Sequence, residues 1–265
     1  MHLRLVQSLY LQRASAGVLR TVAPMVNADM AAGREPGEAV LRMRAASAVA
    51  LKDADTASQA YAMLARYYGK KEYWALLLHE LVTRSTIPDS LQLDVYRIRL
   101  AAGDSLQARD YMDMAEIALQ QHLPQLACDL MAQGYTAGVL GTGAEAPRQA
   151  RLRAMAEKAA ADRKATSAAD EQAALAQSGG DALFLVGYNA VLSGQAEHGL
   201  ALMQQAITKG VSDPAVASLH LGLAQLQANQ PKEAAATLGH ITGKGPVYDI
   251  AQLWLLRLAQ GQAPG

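Results

Sequence analysis

Six histidines, one cysteine and 24 carboxylates are the residues that could do chemistry here. His2, His79, His122, His198, His220 and His240 are scattered singly, and none stands four residues from another His or from Cys128. A zinc or iron site therefore has to assemble across distant segments, and none is expected. Cys128 needs a neighbouring imidazole to become a thiolate nucleophile. The nearest, His122, lies six residues back across a turn, so Cys128 reads as a small buried thiol. His79-Glu80 opens like H-E-x-x-H, but the fifth position is Thr83. Gly141-Thr142-Gly143-Ala144-Glu145-Ala146 has the outline of a dinucleotide-binding G-x-G-x-x-A. That motif works between a strand and a helix, whereas a helical stretch from Gln125 precedes it here, so a turn and helix cap are expected. Gly239 to Gly245 contains Gly-Lys without the rest of a phosphate loop. Asp53 with Asp55, and Asp110 with Asp113, fall at helix starts or on exposed faces, where capping explains them. The basic groups Arg42/Arg44, Arg97/Arg99 and Arg148/Arg151/Arg153 lack interleaved aromatics. They read as solvated faces, with an anion or acidic-partner contact as the other reading. No catalytic residue, metal ligand or cofactor follows, and the chain reads as not an enzyme.

The elements that must carry these residues are helical. The chain has 265 residues, about a fifth of them Ala, with one Phe and 5% aromatics. Helix formers dominate and strand-length β-branched runs are missing. This length fits one large domain or two small ones. With 24 basic and 24 acidic residues the net charge is zero, which leaves no global attraction for nucleic acid or an anionic membrane surface. No stretch reaches 18 apolar residues, so no transmembrane segment is expected. A single cysteine leaves the redox compartment open. Met1 to Tyr10 reads as an amphipathic helix and not as a signal peptide. A chain seldom opens so abruptly, which suggests the C-terminal part of a longer precursor.

Apolar residues recur at three- and four-residue spacing nearly throughout, and Gly or Pro breakers separate segments of globular-helix length. About a dozen antiparallel helices joined by tight turns are expected. One segment, Ala144 to Gln177, is much longer and carries a thin apolar stripe. It reads as a solvated connector, or as a helix that lies in a groove or binds a partner. The division is residues 1–140 as degenerate hairpins, 141–180 as the long helix, and 181–265 as a regular pair of hairpins with a capping helix from Val247 to Leu258.

The last pair shows an internal repeat. Leu183-x2-Val186-Gly187-x2-Ala190 with Gly199-x3-Met203-x2-Ala206 is followed by Ser218-x2-Leu221-Gly222-x2-Gln225 with Ala234-x3-Leu238-x2-Ile241. Gly187 and Gly222 stand 35 residues apart. These segments resemble tetratricopeptide repeats (TPRs). Weaker copies begin at Leu3, Leu41 and Tyr111, and the pair around Trp74 and Tyr96 is degenerate. The middle of the chain from Tyr73 onward, with its long helix and two good repeats, is similar to a proteobacterial family of TPR proteins. That resemblance implies a stacked helical-hairpin superhelix, and a periplasmic location with a cytoplasmic one as the alternative. It also implies that the first helix of each pair lines a concave groove. The matched positions are Asp181, Phe184, Tyr188 and Val191, then Val216, Leu219, Leu223 and Leu226. They are mostly apolar and lack the Lys and Asn of a chaperone-tail clamp. The reading is a non-catalytic interaction or scaffold module that binds a protein or peptide on this face, unless the chain's own long helix fills it. The alternative is an enzyme or small-ligand carrier whose site assembles across repeats.

Overall fold

The computed structural model describes residues 2–84 and 87–261; residues 262–265 of the expected C-terminal region lie outside them, and so do Met1 and the side chain of His2. The described residues are all-helical, with no strand. They form two compact units: 1–87 with 102–104 and 259–261, and 88–101 with 105–258.

The first unit contains α1 (His2–Leu11), α2 (Ser15–Ala31), α3 (Glu38–Ala50), α4 (Ala54–Tyr68) and α5 (Lys71–Arg84). Val18, Val22 and Val26 make one stripe along α2 at four-residue spacing and are fully buried, the apolar seam of an amphipathic helix. Asp53 caps α4 by accepting from the Thr56 N–H at 3.1 Å, the role its position predicts. Gly69 ends α4 in the left-handed region at φ +61°. Glu38 accepts from Lys70 Nζ at 2.5 Å and from the Tyr73 hydroxyl. Those hydrogen bonds hold its carboxyl below the usual range, while burial and Glu38 push the Tyr73 phenol up to about 12.

The second unit begins with a single 3-10 turn, Asp89–Leu91, and continues with α6 (Gln92–Ala101), α7 (Ala108–Gln120), α8 (Pro124–Thr136), α9 (Ala146–Ala176), α10 (Asp181–Leu192), α11 (Ala196–Lys209), α12 (Pro214–Gln227), α13 (Pro231–Gly239) and α14 (Pro246–Ala259). α8, α9, α12 and α13 each carry Pro in the first turn, where its missing N–H costs nothing. α7 pairs with α8, α10 with α11, and α12 with α13, the hairpins that the small-residue register marks. A Cβ on Gly187 would stand 2.7 Å from the Gly199 carbonyl oxygen, and one on Gly222 would stand 2.7 Å from Leu238 Cγ. Both glycines therefore sit at close helix contacts: Gly187 against the backbone of α11, and Gly222 under the Leu238 side chain of α13. Trp254, 3% exposed, is buried on α14. α5 and α6, which bear the degenerate pair around Trp74 and Tyr96, belong to different units.

Candidate functional site

The face expected to form an open apolar groove is closed. Phe184, Tyr188, Val191, Leu219, Leu223 and Leu226 are all buried, at 9% exposure or less. They are packing positions, so the sequence reading of an exposed apolar surface there is corrected. Side chains at i and i+4 on one helix face can meet solvent or another element, and the sequence of α10 and α12 alone does not say which. Val216 is half-buried. Asp181 is exposed and caps a loop: its carboxylate accepts from the Ser212 N–H at 2.9 Å and the Ser212 hydroxyl at 2.5 Å. Those bonds lower its pKa.

α6 accounts for part of that burial, and it brings a polar constellation that sequence reasoning missed. Asp94 is 2% exposed. Its Oδ2 lies 3.0 Å from His220 Nε2 on α12. Arg97 Nη1 donates to the Tyr188 hydroxyl on α10 at 2.6 Å and stands 4.0 Å from Asp94 Oδ1. The Tyr188 and His220 rings lie 5.7 Å apart between centroids. Arg97 was read as part of a solvated basic face, but its side chain is only 13% exposed. Burial works against its charge, yet Tyr188 and Asp94 beside it hold its pKa above the ordinary value. Burial raises the Tyr188 phenol as well, so its hydroxyl keeps its proton while accepting from Arg97. No local motif marks this group, because its members are up to 126 residues apart. Arg99, by contrast, pairs with Asp110 at 3.4 Å, and Asp110 closes a capping box with Gln107.

The long helix shapes a second region. α9 buries Gln149, Leu152 and Ala156 near its start and Ala174 near its end, and nothing between them. Both ends are tied down. The Gly141 N–H donates to Gln149 Oε1 at 2.7 Å, so Gly141 and Gly143, at φ +89° and +73°, are the expected turn before the helix. At the other end Lys209 Nζ donates to the Leu175 carbonyl at 2.8 Å, a cation on the carbonyl pole of the helix. The Gly180 N–H donates to the Gly210 carbonyl at 2.7 Å.

Beneath the middle of α9, where no residue is fully buried, lie two clefts that share Arg163 and Asp170, which pair at 3.1 Å. The one beside α7 and α8 has a volume of about 390 Å³ and is lined by Leu119, His122, Pro124 and Ala159 among others. The one between α9 and the α10–α11 hairpin has about 480 Å³, within the size range of ligand sites. Lys164, Ser167, Ala168 and Glu171 line it from α9, and Asn189, Ala190, Ser193 and His198 from the hairpin. Glu171 pairs with His198 at 2.8 Å. Asn189 is 5% exposed, and its Nδ2 donates to the carbonyls of His122 and Leu185, both at 3.0 Å. Its Oδ1 has no hydrogen-bond partner among the described residues.

Cys128 is half-buried, and burial together with Asp129 and Glu157 raises its thiol pKa. Among the described residues no three His, Cys, Asp or Glu side chains gather as metal ligands, and no helix is long and apolar enough to cross a membrane. Neither family models, curated proteins nor solved structures yield a match to this chain.

Proposed function

We propose that the chain is a TPR-like, non-catalytic interaction module that holds an extended polar segment of a protein or peptide in the cleft beneath α9. The cleft itself carries this reading: it is a solvent-open space of about 480 Å³ between α9 and the α10–α11 hairpin, lined by hydroxyl, amide and charged groups beside Ala168, Val186 and Ala190. Ser167, Ser193, Gln195, Lys164 and Glu171 line this space, and an extended peptide backbone presents donors and acceptors for such groups at regular spacing. Val186 to Ser193 spans about 10 Å of helix, at about 1.5 Å per residue, which matches about three extended residues. The glycine-mediated hairpin contacts support the repeat reading, and the envelope location rests on the family resemblance alone. The alternative of a small-ligand carrier is favoured by one separate observation, the Arg97 constellation.

The test fills the cleft. Ala168 is exposed on α9 and lines it, so Ala168→Trp should fold normally while blocking entry. Wild type used as bait in lysate of the source organism should retain a protein that Ala168→Trp loses. Short peptides from that protein should then bind wild type and not the variant in fluorescence anisotropy. Equal retention by both baits, or no retention by either, would sink the proposal.

A further inference from the structure

Arg97 holds its charge largely out of solvent and spends little of its hydrogen-bonding capacity on the protein. A guanidinium presents five N–H donors in a planar fork. Among the described residues one bond is made, from Nη1 to the Tyr188 hydroxyl at 2.6 Å. The nearest carboxylate oxygen, Asp94 Oδ1, lies at 4.0 Å, outside hydrogen-bonding distance. Asp94 directs its other oxygen to His220 instead. The Arg97 side chain keeps 13% of its surface exposed, and none of its nitrogens is fully sealed without a partner. The Tyr188 oxygen accepts from Arg97, which leaves the phenolic proton free to point elsewhere, and no acceptor for it is found among the described residues. His220 keeps its Nδ1 edge unengaged in the same way.

We infer that Arg97, Tyr188 and His220 form a binding site for a small oxyanion, a carboxylate or phosphate group, on the face shared by α6, α10 and α12. The guanidinium fork suits two oxygens of one group, which a single hydroxyl partner does not satisfy. The Tyr188 hydroxyl adds a neutral donor beside it. Asp94 fixes the His220 ring and, at 4.0 Å from Arg97, tempers the positive charge without occupying the fork. Arg97 and His220 keep only 13% and 17% of their side chains exposed, which suits a single small group better than the flank of a polypeptide. This site is independent of the cleft beneath α9, and Ala168→Trp should leave it intact.

The test melts the full chain at constant ionic strength, replacing chloride in separate arms with inorganic phosphate and with acetate. Wild type should show a saturable rise in melting midpoint in at least one arm, and the arm that saturates at lower concentration identifies the preferred group. Arg97→Lys keeps the charge and removes the fork; Tyr188→Phe keeps the ring and removes the donor. Each should raise the half-saturating concentration about tenfold or more. If Arg97→Lys does not fold, Tyr188→Phe decides alone. A shift that never saturates, one that is equal in wild type and Tyr188→Phe, or no shift in either arm would overturn the inference.

Discussion

At the scale of single residues, environment decides what a group with latent chemistry can do. Cys128 is a nucleophile by element and an inert one by position, since burial, Asp129 and Glu157 all oppose the thiolate. Its alkylation by iodoacetamide should be slow at neutral pH and should keep accelerating above the ordinary thiol range of about 8.5. A rate that levels off at or below that range would contradict this environment. Residues whose partners lie within a turn or two were legible in the sequence. Asp53 caps Thr56 three positions on, and Gly141 to Ala146 is the turn that its helical context implied. Arg97 was misread because its partner Tyr188 is 91 residues away. Spacing along one helix carries no record of a contact made between three.

At the scale of elements, the hairpins were legible for a steric reason. Two helices touch closely only where a small residue removes a side chain, so Gly187 and Gly222 mark the register. The obstacles differ in kind, however. A methyl on Gly187 meets the Gly199 carbonyl and the Met203 backbone N–H, whereas one on Gly222 meets only the Leu238 side chain. Gly187→Ala should therefore cost about 1–3 kcal/mol by overpacking. Gly222→Ala should cost less, because a leucine can change rotamer and backbone cannot. Urea denaturation of the two variants checks the order, and the reverse order would refute the packing described. The burial of the α10 and α12 faces was not legible, because it depends on what other elements bring against them. The long helix was legible in length and polarity; that it is pinned at both ends with space beneath its middle was not, since Lys209 and Gln149 act from outside the apolar pattern.

At the scale of the whole molecule, neutrality hides an asymmetry in how the charges are held. Three carboxylates, Glu38, Asp53 and Asp181, have pKa values lowered by hydrogen bonds in the folded state. A lowered folded pKa contributes stability that is complete above the unfolded value, about 4. It is lost as pH falls through the folded value. The melting midpoint should thus drop as pH falls from about 5 to about 3, and Asp181→Asn, which no longer titrates, should show a shallower drop. Parallel profiles for wild type and Asp181→Asn would exclude Asp181 as a contributor. Glu38 and Asp53 lie in the first unit and Asp181 in the second, so acid acts on both.

The pairing of Asp94 with His220 also has a consequence in time. Each hairpin can close on itself soon after it leaves the ribosome, but these two partners are 126 residues apart. At a synthesis rate of about 5–20 residues per second, Asp94 and Arg97 emerge about 6–25 s before His220 exists. For that interval the nascent chain carries two charged groups destined for burial with half their polar surroundings unmade. A helix that must keep water around Asp94 and Arg97 until α12 arrives cannot settle early, so α6 waits for α12 although it is the first helix of its unit to be translated.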